Sequence, residues 1–101
     1  MFAEVYKIVW RVCQGIPVGK VATYGQIAMI LGTRDSRRVG QALHANKDRK
    51  VPCHRVVFAD GSLAPGYAFG GLFEQMKKLK NEGVKFKGDK VDLGKCMWNG
   101  I

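Results

Sequence analysis

The stretch from Thr23 to Leu43 constrains this chain more than any other. Thr23-Tyr24-Gly25-Gln26 reads as a capping box: the Thr23 hydroxyl and the Gln26 side chain satisfy orphan N–H groups at a helix start. Ile27, Ile30 and Leu31 are expected to face inward, and Gly32 ends the helix. After a short polar turn, Asp35 or Ser36 caps another helix over about 36–45. Its inward positions are Val39, Ala42 and Leu43, and its other face shows Arg37, Arg38, Gln41 and His44. Two short helices joined by a tight Gly-containing turn are a helix-turn-helix signal. The second carries two arginines at its N-terminus, where a recognition helix meets DNA. Any small helical domain can show such a pair; the placement of charge adds weight here.

The flanking segments complete a single domain over 1–101. Phe2, Val5, Tyr6, Val9, Val12 and Cys13 recur at helical spacing and predict an amphipathic helix over about 2–14, stopped by Gly15 and Pro17. Val56-Val57-Phe58 has strand propensity, Asp60-Gly61 is a turn signal and Ser62-Leu63 begins a return, together a small hairpin placed like a wing. A last helix over about 71–82 is expected to turn Leu72, Phe73, Met76 and Leu79 inward. The Lys-rich tail reads as a solvated face, with Trp98 packed on the core. The expected fold class is mainly α with a small β hairpin, a winged-helix-like domain containing a helix-turn-helix.

Composition narrows the function classes. The chain carries 17 Lys+Arg against 8 Asp+Glu, a formal charge of +9, which points to a polyanionic partner, nucleic acid first. The excess is densest across Arg34, Arg37, Arg38, Lys47, Arg49, Lys50 and Arg55. A surface kept soluble by lysines accounts for the charge equally well when charge is taken alone. No apolar run approaches the roughly 18 residues of a membrane span, and the N-terminus lacks a signal-peptide cleavage site. The expected location is intracellular, in the cytoplasm (nucleoid-associated) or the nucleus, and the expected state is a monomer. Cys13, Cys53 and Cys96 form no C-x-x-C pair, and His44 and His54 do not restore metal-ligand spacing, so no metal site is expected.

Cys53 differs from the other two. It follows Pro52 and precedes His54 and Arg55. The nucleophilic form of a cysteine is the thiolate, which neighbouring cations favour. His54 is a base candidate, although adjacent strand residues point to opposite faces, so a bridging water or a non-strand backbone is needed. Taken alone, a buried cysteine beside a surface histidine is the better reading.

Pro52-Cys53-His54-Arg55-Val56-Val57 resembles the P-C-H-R-V active-site motif of the O6-alkylguanine-DNA alkyltransferases, the methylated-DNA–protein-cysteine methyltransferases. Five further blocks follow in the family's order. Pro17 through Gln26 is similar to the segment opening its helix-turn-helix, and Arg37-Arg38-Val39-Gly40-Gln41-Ala42 to its recognition helix. Asn46 matches the asparagine before the active-site strand, Gly71 through Gly83 the helix ending in E-G, and Lys90-Val91-Asp92-Leu93 with Met97-Trp98 the usual ending.

The resemblance implies DNA repair by direct, single-turnover transfer of an alkyl group from O6-alkylguanine to Cys53, after the nucleotide is flipped out, with double-stranded DNA as partner and no cofactor. It implies His54 as the water-mediated base, Glu82 as its orienting acid and Asn46 as the tie between recognition helix and active-site strand. Arg37 would fill the gap left by the flipped nucleotide, and Tyr24 would crowd the 3′ phosphate. Arg38, Gln41 and Ala45 complete the DNA-facing set, with Arg37 and Arg38 able to trade roles; Tyr67, Pro52 and Gly71 form the lesion pocket. Three departures stand out. The family usually has an additional N-terminal domain, Lys47 stands where proline often follows the asparagine, and the loop Gly66 to Gly71 is a residue longer. The related alkyltransferase-like proteins bind the lesion without transfer and recruit other repair proteins. Their motif cysteine is replaced, whereas Cys53 is present here. A winged-helix regulator with an incidental cysteine is the third reading.

Overall fold

The computed structural model describes residues 2–100, with side chains described from Glu4 onward. Helix α1 spans Phe2–Gln14, and the inward placement of Phe2 lies outside the described side chains. Val9 and Cys13 of α1 are fully buried, and Trp10 Nε1 donates to the Ala42 carbonyl at 2.7 Å, tying α1 to the helix it packs against. The two helices of the helix-turn-helix follow: α2 over Tyr24–Ile30 and α3 over Ser36–His44. The α2 capping box forms as its sequence dictates, with Gln26 N donating to Thr23 Oγ1 at 3.0 Å. Asp35 caps α3 through Arg38 N at 3.2 Å. Val39, Ala42 and Leu43 turn inward, whereas Ile30, expected inward, is exposed because Ile27 and Ala28 already fill the buried face of α2.

A 3-10 turn over Cys53–Arg55 leads into β2 (Val56–Val57), which pairs in parallel with β1 (Ala22–Thr23), Ala22 opposite Val56 and Thr23 opposite Val57. Two residues per strand give little independent stability. Their effect is positional, since the pairing sets the N-cap of α2 beside the exit of the Cys53 turn. On the other side Val21 bridges Met97, so the chain end closes over the same segment.

The hairpin is not where the sequence placed it. The Asp60-Gly61 turn forms, with Phe58 N donating to the Ser62 carbonyl at 3.0 Å, but Ser62-Leu63 makes no strand. Gly61 has φ 88 and sits against the Val91 backbone, where a Cβ has no room. The antiparallel hairpin is instead β3 (Phe86–Lys87) with β4 (Lys90–Val91), inside the tail that read as a solvated face. Its Val91 N donates to the Gly61 carbonyl at 2.9 Å, so the turn and the tail hairpin lock together. The class, mainly α with one small hairpin, stands.

Helix α4 spans Gly71–Asn81, and a short α5 spans Leu93–Cys96. Gly70, at φ 120, lets the chain enter α4 where a Cβ would strike the Glu74 side chain. Leu79 is buried, and Leu72 and Met76 are partly so, but Phe73 is 80% exposed; the buried position is Gln75. Two cores result: one between α1, α2, α3 and the Cys53 turn, the other beneath α4 and the tail.

Candidate active site

Cys53 opens the 3-10 turn between the two cores. All three cysteines are free and buried, but Cys53 lines a cavity of about 330 Å³. Tyr24 and Arg37 line one side of it, Tyr67 and Ala64 the other, and Phe58 completes it. His44 Nδ1 donates to the Gly66 carbonyl at 3.1 Å, holding α3 to the loop that forms the far wall. The sulfur thus meets a space bounded by the recognition helix and by aromatic side chains.

The hydrogen bond to the sulfur comes from Asn46. Its Nδ2 lies 3.2 Å from Cys53 Sγ and 2.8 Å from the Asp48 carbonyl, while its Oδ1 accepts from Asp48 N at 3.1 Å. Asn46 is 1% exposed, and its own turn fixes the amide so that an N–H faces the sulfur. Burial pushes the Cys53 thiol up from its usual range; the Asn46 bond and the Lys78 charge pull the other way without overcoming it. Burial likewise raises the Tyr24 hydroxyl to about 12, so Tyr24 is a neutral phenol at pH 7. Its ring packs on Phe58 with centroids 5.1 Å apart.

His54 and Arg55 point elsewhere. His54 Nε2 donates to Glu82 Oε2 at 2.9 Å; Arg55 clamps the same carboxylate with Nε at 3.0 Å and an outer nitrogen at 2.8 Å, and its other nitrogen reaches the Ile16 carbonyl at 2.8 Å. Burial pushes the His54 pKa below its ordinary value, against the pull of Glu82. Burial also disfavours the Glu82 carboxylate, but the bonds from Arg55 and His54 outweigh it and leave the acid below its usual range.

Of the residues the sequence singled out, the cavity gathers Cys53, Tyr24, Arg37 and Tyr67. Pro52 is buried behind the turn and Gly71 starts α4, both outside the cavity lining. Arg38, Gln41 and Ala45 lie exposed on the α3 side, and Arg38 pairs with Asp35 at 3.7 Å. Three residues went unassigned by sequence reasoning. Arg55 completes the clamp on Glu82. Gln75, fully buried, donates to the carbonyls of His54 (3.1 Å) and Val56 (3.0 Å) and accepts from Ala64 N (2.9 Å). Lys78 Nζ donates to the Tyr67 hydroxyl at 2.8 Å. Gln75, Lys78 and Glu82 fall at i, i+3 and i+7, one stripe of α4, which is the periodicity that could have found them.

Known proteins similar to this chain point to one family. A Picrophilus torridus protein named bifunctional methyltransferase/endonuclease is 34% identical over 98 residues, 95% of this chain, which spans only 32% of that relative's length. Alkyltransferase-like protein 1 of Schizosaccharomyces pombe is 37% identical over 99 residues, 91% of each chain. The crystal structure of S. pombe Atl1 in complex with damaged DNA containing O6-carboxymethylguanine superposes with a TM-score of 0.83 at 35% identity, covering 96% of both chains. Residues 4–84 match the family model described as 6-O-methylguanine DNA methyltransferase, DNA binding domain, and the chain belongs to that family.

Proposed function

We propose that this chain repairs alkylated guanine in DNA by moving the alkyl group onto Cys53. One observation carries the reading: the Cys53 sulfur faces a cavity bounded by the arginine-bearing recognition helix and by aromatic rings. A base stacked in a duplex is out of reach, so the nucleotide must swing out, at a cost of a few kcal/mol. Arg37, at the start of α3 and on the cavity edge, is suited to the vacated place in the stack. Tyr24, Arg38, Gln41 and Ala45 form the remaining DNA-facing set, engaging backbone rather than sequence. The exposed N-terminal face of α3 and the DNA-bound S. pombe neighbour support this partner.

In the reaction the thiolate lone pair forms a C–S bond as the carbon–O6 bond breaks. The electrons of that bond pass to the purine, which takes a proton and becomes guanine. The thiol proton leaves first. With His54 neutral and its Nε2–H given to Glu82, Nδ1 keeps a lone pair and serves as base through one water. Asn46 holds the sulfur and supports the thiolate by hydrogen bonding. The thioether has no ready hydrolysis, so each chain acts once.

Incubation with O6-methylguanine DNA should add one methyl mass to the Cys53 peptide, and Cys53→Ala should abolish the gain while retaining lesion binding. Tight binding with unchanged mass would favour the sensor reading, which is supported by the similarity to an alkyltransferase-like protein over 91% of both chains.

A further inference from the structure

We propose that Lys78 is a positioning residue for this site: it pins the aromatic wall of the cavity that the Cys53 sulfur faces and brings a positive charge to that wall. The inference rests on the repair reading for its first half only. The loop forming that wall, from Ala64 to Gly70, contains no helix or strand to hold it. Its two aromatics meet edge-on, Tyr67 and Phe69, with centroids 5.9 Å apart. Lys78 projects from α4 to both of them. Its Nζ donates to the Tyr67 hydroxyl at 2.8 Å and lies 5.2 Å from the Tyr67 ring centre and 5.5 Å from that of Phe69. Arg49 stacks on Phe69 at 5.0 Å, so the wall is held between two cations. Cation–aromatic contacts of this kind contribute more as they lose water, and Tyr67 is 8% exposed. A loop with little secondary structure keeps one shape only if its side chains are held, and Lys78 sits where it holds two at once.

The second half concerns charge. Cys53 is faced by the Asn46 amide and the Leu43 carbonyl, by Cys13 from α1 and Tyr24 from α2, and by Arg37 and His44 across the cavity. The chain-adjacent His54 is paired to Glu82 with Arg55. Lys78 Nζ, held 2.8 Å from the hydroxyl of Tyr67 on the cavity that the sulfur faces, brings its charge to that cavity and works against the burial that disfavours the thiolate.

Three variants test this: Lys78→Met, which keeps length without charge; Lys78→Arg, which keeps charge; and Tyr67→Phe, which keeps the ring without the hydroxyl. Two readouts are needed. One is the ratio of affinities for O6-methylguanine duplex and the same unmodified duplex. The other is the pH profile of iodoacetamide labelling at the Cys53 peptide, which needs no DNA. Lys78→Met should lower the lesion preference about tenfold and move the labelling profile up by about half a pH unit, roughly threefold slower at pH 8. Lys78→Arg should restore both in large part. Tyr67→Phe should lower the preference about threefold and leave the profile in place. A Lys78→Met profile that coincides with the parent's overturns the electrostatic half. Equal losses on both duplexes make Lys78 a phosphate contact and overturn the positioning half. A parent protein without lesion preference sinks the repair reading, and the labelling profile still decides the charge of Lys78.

Discussion

The 3-10 turn has two unlike sides. On one, Cys53 meets an amide, a backbone carbonyl and a cavity walled largely by aromatic and apolar groups. On the other, one residue later, His54 and Arg55 share a carboxylate with Glu82. Burial acts on both sides with opposite results. It holds the thiol in its neutral form, where the opposing bonds fall short, whereas on the charged side hydrogen bonds keep Glu82 ionised. A thiol and a charged pair can therefore be neighbours in sequence while each keeps its own dielectric.

Gln75 joins the two sides, and removing it should have the largest effect on stability. Gln75→Leu keeps the approximate volume but orphans the His54 and Val56 carbonyls and the Ala64 N–H. Unsatisfied buried groups cost about 1–3 kcal/mol each, less what water recovers, so a loss of about 3 kcal/mol in urea unfolding is expected. A loss below about 1 kcal/mol would mean that the two sides are held independently and that the contrast between them owes nothing to α4.

Glu82→Gln probes whether the charged side works for the other. The amide can still meet Arg55 but no longer orients and balances His54. If His54 is the base, methyl transfer should slow about a hundredfold, the usual worth of a positioned base. Folding, followed by circular dichroism, should persist. Transfer within about twofold of the parent would confine Glu82 and His54 to a structural role and leave Asn46 and Lys78 as the groups acting on the sulfur.

Much of the helical frame was legible because it is written locally. Thr23 and Gln26 cap α2 with groups three residues apart, and Asp35 does the same for α3. The motif around Cys53 singled out that cysteine, and the Glu-Gly pair singled out Glu82, but whether the backbone at Cys53 was strand or turn stayed open. What resisted reading depends on distant partners. The β1–β2 pairing joins two-residue strands whose partners Ala22 and Val56 stand 34 positions apart, too short to announce themselves by alternation. Phe73 was expected inward because it fits an apolar stripe; the stripe that α4 buries is rotated toward Gln75, whose three hydrogen bonds are invisible until the loop at Ala64 is in place. Lys78 counted as one basic residue among many until Tyr67 stood 2.8 Å from it.

The pH dependence of stability gives the smallest and most local test. Glu82 has a folded pKa below its ordinary 4.5, so between the two values the unfolded chain binds the extra proton. Its contribution is complete above about pH 4.5 and fades as the pH falls through the folded value. The stability gap between the parent and Glu82→Gln, about 1–2 kcal/mol at pH 7 for a charge-assisted pair, should hold level from pH 7 to 8 and shrink on acidification below about 4.5. His54 behaves in the same sense at higher pH. Its folded pKa lies below 6.5, so the native state loses stability as pH falls through that window, because a buried imidazole must take up a proton. The parent should therefore weaken first below 6.5 and again below 4.5, and Glu82→Gln should lack the second step. A gap that widens below pH 4.5 would mean that Glu82 folds in its protonated form, and the charged side of the turn would then be no different in kind from the side that holds the sulfur.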